Sequence, residues 1–72
     1  MIQIATTTEK IIEKLEEKGR LNDTIEKKLT EIGRIKDWDT DSDKDRQAFT
    51  AHCVSRGVDL GDVRKAIQEV WG

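Results

Sequence analysis

Apolar residues along this chain recur at helical rather than alternating spacing. In an early segment Ile11, Ile12 and Leu15 share one face, with Glu16-Glu17-Lys18 opposite. Ile25, Leu29, Ile32 and Ile35 follow at intervals of four, three and three. Near the end, Leu60, Val63, Ile67, Val70 and Trp71 form the cleanest stripe. Between them lies a weaker pattern, with Ala48, Phe49, His52 and Cys53 on one side and Ala51 and Val54 pointing elsewhere.

Capping signals punctuate these stripes. Four times a short polar residue precedes an acid by three positions: Thr6 with Glu9, Asp23 with Glu26, Ser42 with Asp45, and Asp59 with Asp62. The cap side chain satisfies an amide that the first turn leaves unpaired, and the acid favours the positive end of the dipole. Gly19 and Gly57 stand where helices one and three should stop, free to adopt the left-handed conformation of a C-terminal cap. Proline is absent, so none breaks or kinks a helix. The spacing predicts helices over 7–18, 24–36, 43–56 and 60–71, the second weakened by about 1 kcal/mol at Gly33. The expected fold is all-α, a single domain over 1–72 in which four short helices form two helical hairpins around one small core. Ile2-Gln3-Ile4 alternates as a short strand would. A strand before two helices resembles a ribbon-helix-helix repressor, but the first helix is about a turn too short and the strand carries no basic residue.

Composition makes that core a thin one. Leu, Ile, Val and Phe together supply only 17 of 72 residues, while 39% are charged. A domain this small buries roughly 60% of its unfolded surface, so modest stability is expected. A lone cysteine excludes an internal disulfide and fits a reducing compartment. Self-association or a partner surface is the remaining route to extra burial. The opening residues lack the basic start and apolar stretch of a signal peptide. No apolar run approaches the roughly 20 residues of a membrane span. A cytoplasmic protein is expected.

The most conspicuous local feature is the acidic run Asp37-Trp38-Asp39-Thr40-Asp41-Ser42-Asp43-Lys44-Asp45. Alternate aspartates suggest a calcium loop, with Asp39, Asp41 and Asp43 at its first, third and fifth positions. The glycine required at the sixth is Lys44, and the glutamate required at the twelfth is Thr50. A solvated connector that caps the third helix is the better reading, and no metal is expected. His52 and Cys53 suggest an activated thiol, yet neighbouring residues on a helix point about 100° apart. One Cys and one His cannot complete a four-ligand zinc site. With no nucleophile spacing, phosphate loop or paired carboxylates, the chain is expected to be neither an enzyme nor a cofactor binder.

Residues 49–68 carry a further pattern. Gly57 ends a helix, Val58 follows, Asp59 caps the next, and Val63 and Ala66-Ile67 fall at buried spacings. The segment Gly57-Val-Asp-Leu-Gly-Asp-Val-Arg-Lys-Ala-Ile67 is similar to the turn and recognition helix of the helix-turn-helix repressors of the phage Cro type. That resemblance implies DNA binding, with helix four in the major groove and Arg64, Lys65 and Gln68 as contacts. The sequence departs from the family at His52 and Arg56, where apolar residues are usual. Asp59, Asp62 and Glu69 also put carboxylates where phosphates would lie.

Net charge is −2, from 13 basic and 15 acidic residues, with none of the excess that marks a general polyanion binder. Trp38 and Trp71 each read as a plug at one end of the core. Trp38, ringed by charges, reads equally as an interface anchor. The leading expectation is therefore a protein-binding regulatory or accessory module, of the kind that phage- or plasmid-type inhibitors and adaptors provide by analogy. Trp38, Asp39, Asp41 and Asp43 are its candidate contacts, another protein its partner, and homodimerisation through helices one and two part of the same reading.

Overall fold

A computed structural model describes residues 6–58 and 60–72 of the chain. Among these residues four helices follow one another: α1 (Thr7–Glu17), α2 (Asp23–Gly33), α3 (Asp43–Ser55) and α4 (Leu60–Trp71). Each packs on the next, and α4 closes back on α1. The two halves are helical hairpins around a shared core, as the stripes predict. The short strand expected at Ile2–Ile4 and the cap expected at Asp59 fall outside the described residues.

Local signals explain the helix ends. Thr6 accepts from the Glu9 amide at 3.2 Å and Ser42 from the Asp45 amide at 3.2 Å, both as the spacing predicts. The second cap is Asn22, not Asp23: its side-chain oxygen accepts from the Ile25 amide at 2.9 Å. Asn and Asp cap about equally well, and the acid three positions beyond Asp23 favoured the wrong one. Gly19 and Gly57 have φ of 67° and 71°. Behind each, the chain closes a double C-terminal cap, in which Arg20 N–H bonds Leu15 O and Val58 N–H bonds Cys53 O, both at 2.9 Å.

The core joins Ile11, Leu15, Leu29, Ile32, Trp38, Phe49, Cys53, Val58, Val63, Ala66 and Ile67. Two expected core positions are corrected. Ile35 is 46% exposed because α2 ends at Gly33, a turn earlier than its stripe suggests. Ala48 is exposed because the inward row of α3 runs through Asp45, Phe49 and Cys53, four residues apart. The Cα radius of gyration is 11.2 Å. A compact fold of this length should give about 11 Å, so even a thin apolar supply closes the globule.

Gly33, read from sequence as a weak point, is a contact. A Cβ there would lie 2.6 Å from Thr8 Oγ1 and 2.9 Å from Thr8 Cβ. Thr8 is itself buried and stiff at its branched Cβ, so α1 and α2 approach this closely only with glycine.

Candidate functional site

The acidic connector, residues 34–42, leaves α2 and enters α3, and it is tied down along its length. Trp38 turns inward to 7% exposure. Its indole N–H donates to Ile32 O at 3.0 Å, taking up a carbonyl in the last turn of α2. Its ring meets Phe49 edge-on at 5.1 Å and His52 at 5.8 Å, with Lys36 Nζ 5.3 Å from its centre. Of the two roles read for this tryptophan, the core plug matches its burial. Its own carbonyl accepts from the Thr7 hydroxyl of α1.

The second tie is Asp45 in the first turn of α3, which is 9% exposed. One carboxylate oxygen accepts from Lys36 Nζ at 2.7 Å and the other from the Asp39 amide at 2.8 Å. The Lys36 hydrogen bond, followed by that amide, holds its pKa below the ordinary 3.8. A third tie comes from the far end of the chain. The Trp71 indole N–H is shared between Asp39 O at 3.0 Å and Ser42 O at 3.1 Å. Within the loop, Asp41 N–H bonds Asp39 Oδ1 at 2.8 Å and Ser42 N–H bonds Asp39 O at 3.1 Å.

The result is a fixed loop with an acidic surface. Asp37, Asp39, Asp41 and Asp43 are all exposed. Asp43 is neutralised in part, because Arg46 and Gln47 of its own helix donate to it at 2.9 Å each. The Arg46 hydrogen bond, then that from Gln47, lowers its pKa. Asp37 and Asp41 have no side-chain partner among the described residues and face water. Among those residues no three carboxylate, imidazole or thiol groups converge as metal ligands would.

Acid should loosen these ties. Asp43 and Asp45 bind protons less readily folded than unfolded, so their contribution is complete above the ordinary carboxylate pKa. It is lost as pH falls through the depressed values. Thermal melting from pH 7 to pH 2.5 should show a midpoint that drops below about pH 4. Asp45→Asn should melt lower at pH 7 and show a shallower acid limb; an unchanged limb would contradict the tie.

Cys53 is fully buried, and burial pushes its thiol up to about 11, so at neutral pH it is protonated and packed. His52 is half-buried against Trp38.

The α3–α4 pair bears on the helix-turn-helix resemblance. At the turn, Val58 N–H bonds Cys53 O. At the opposite end, Trp71 reaches Ser42, just before α3 begins, and lies 5.6 Å from Phe49. Helices of 13 and 12 residues are each roughly 18–20 Å long. The two helices are thus held together at both ends. Arg64, Lys65 and Gln68 are exposed on α4. Its acids turn the other way: Asp62 pairs with Arg20 at 3.6 Å and Glu69 with Lys18 at 3.0 Å.

Sequence reasoning missed Thr7, Lys36 and the connector ties of Asp45 and Trp71. Asp45 carried a signal, but one explained already by its place three residues after a cap. Comparison with protein-family models, curated proteins and solved structures finds no match to this chain.

Proposed function

We propose that this chain is a non-catalytic protein-binding module, a cytoplasmic regulator or adaptor that presents its acidic connector to a basic surface of a partner protein. One observation carries the reading. Groups from α1, α3 and α4 fix the connector backbone at Trp38, Asp39 and Ser42, while the carboxylates of Asp37, Asp39 and Asp41 stay in water. A loop ordered before binding does not lose its backbone freedom on binding, which is the main cost of recognition by loops. Charge complementarity then sets encounter rate and partner choice. Two side chains that could carry chemistry are engaged in packing: the thiol of Cys53 is buried and protonated, and His52 packs on the Trp38 indole.

The test is affinity capture from the native host with the wild-type chain and an Asp37→Asn/Asp39→Asn/Asp41→Asn variant, followed by direct titration of the captured protein. A basic partner should bind the variant about tenfold more weakly, with most of the difference lost at high salt. The variant's melting midpoint should stay close to that of the wild type, since asparagine keeps the acceptor that Asp39 offers to Asp41. Equal affinity for both chains would overturn the assignment. Binding to mixed duplex DNA that falls steeply with salt and disappears in Arg64→Ala or Lys65→Ala would move the function to α4.

A further inference from the structure

A second surface carries the opposite chemistry. Between α3 and α4 runs an open groove of about 340 Å³, lined by Arg46, Gln47, Thr50, Arg64, Ile67 and Gln68. Arg46, Gln47 and Thr50 of α3 face Arg64, Ile67 and Gln68 of α4 across it. No carboxylate lines this groove, although acids outnumber bases in the chain. Other surface grooves include Asp62, Asp23 or Glu9 in their walls.

Pairing elsewhere maintains the separation. Asp62 and Glu69, the acids of α4, are drawn to Arg20 and Lys18 beyond α1. Arg64 and Gln68 are left with no side-chain hydrogen bond or ion pair among the described residues. Arg46 commits Nε and Nη2 to Asp43, but a guanidinium has five N–H donors.

We propose that this groove binds a single compact oxyanion, a phosphate monoester, held by Arg64 and Arg46 with the Gln68 amide beside them; the Gln47 amide already donates to Asp43. Such a group carries a charge of about −1.5 to −2 and three acceptor oxygens, which suits two guanidinium forks better than one carboxylate does. The floor, Ile67 alone, offers little to an apolar ligand. An extended polyanion is excluded by what lies at the Arg46 end. A strand continuing past Arg46 would meet the Asp43 carboxylate, which already pairs with Arg46 and Gln47, whereas one phosphate spans less of the groove. This site is separate from the connector surface and stands or falls independently of it.

The experiment is an NMR titration of the ¹⁵N-labelled chain, following arginine Nε–H and glutamine side-chain amides at constant ionic strength. Probes are inorganic phosphate, O-phosphoserine, a phosphoserine peptide, acetate and mixed duplex DNA. Saturable shifts centred on Arg64 and Gln68 are expected for the phosphate probes and not for acetate. Arg64→Ala should weaken binding by about tenfold or more. Asp43→Asn should tighten it several-fold by releasing Arg46, an effect that damage to the fold would not produce. Tighter binding of the peptide than of inorganic phosphate would identify a phosphorylated partner segment as the source. Equal binding would identify free phosphate or a small phosphorylated molecule. Shifts that never saturate, that acetate reproduces or that survive Arg64→Ala would overturn the proposal. So would preferential, Arg64-dependent binding of DNA.

Discussion

Alanine at Phe49 is expected to abolish or nearly abolish the cooperative fold at 37 °C. Phe49 is the largest of the fully buried side chains, and its ring lies between Trp38 at 5.1 Å and Trp71 at 5.6 Å. Truncating a buried phenylalanine costs about 3–5 kcal/mol, the lost transfer energy plus a cavity that only partly collapses. A domain of this length has a total stability of roughly 4–11 kcal/mol. The change therefore removes a large share of it, and both tryptophans lose the surface they rest on. Circular dichroism at 222 nm should show a melting midpoint lowered by roughly 15–30 °C, or a broad loss of helix without a transition. A shift of less than about 5 °C would mean that the three rings do not form the centre of the core.

Trp38→Ala should be nearly as damaging, and its value is that it separates two roles for one residue. Removing a buried indole costs about 3–5 kcal/mol. Removing its N–H also takes a donor from Ile32 O at the end of α2. The connector would slacken as well, because the buried indole anchors the residue whose backbone carbonyl accepts from Thr7. Urea titration should give a midpoint well below that of the wild type. Trp38→Phe should fall between them, keeping part of the packing but losing the hydrogen bond. An exposed interface anchor would behave differently: Trp38→Ala would then leave the urea midpoint in place and weaken only partner binding.

Much of this architecture is legible in the sequence, because helix boundaries and apolar stripes are local properties. Thr6, Ser42, Gly19 and Gly57 mark their helix ends as their chemistry requires. Misreadings arise where two local signals compete. Asn22 and Asp23 are adjacent and equally good caps, and only the fold chooses between them. Ile35 continues the stripe of α2 by spacing, yet the Trp38 indole meets Ile32 O and the helix ends before Ile35 can turn inward. Helix α3 shows a weak stripe because its inward row includes Asp45, a charged residue that earns its place by binding Lys36 and the Asp39 amide.

The site itself was only half legible. An acidic connector with a tryptophan at its start is visible by inspection. That it is rigid is not, because its ties come from 29 to 32 residues away, at Thr7 and Trp71. Nothing in the spacing of Trp71 from Asp39 distinguishes a hydrogen-bonded clasp from a fraying end. The same holds for the close approach of Thr8 and Gly33, where glycine reads locally as a defect and in three dimensions as a fit.

The central claim is that the connector is ordered before any partner arrives. Backbone ¹⁵N relaxation of the free chain at neutral pH measures this directly across residues 34–42. Order parameters near 0.85, matching those of α2 and α3, are expected, together with slowed hydrogen exchange at the Asp39 amide. Order parameters below about 0.6 through Trp38–Ser42, with unprotected exchange at Asp39, would contradict it.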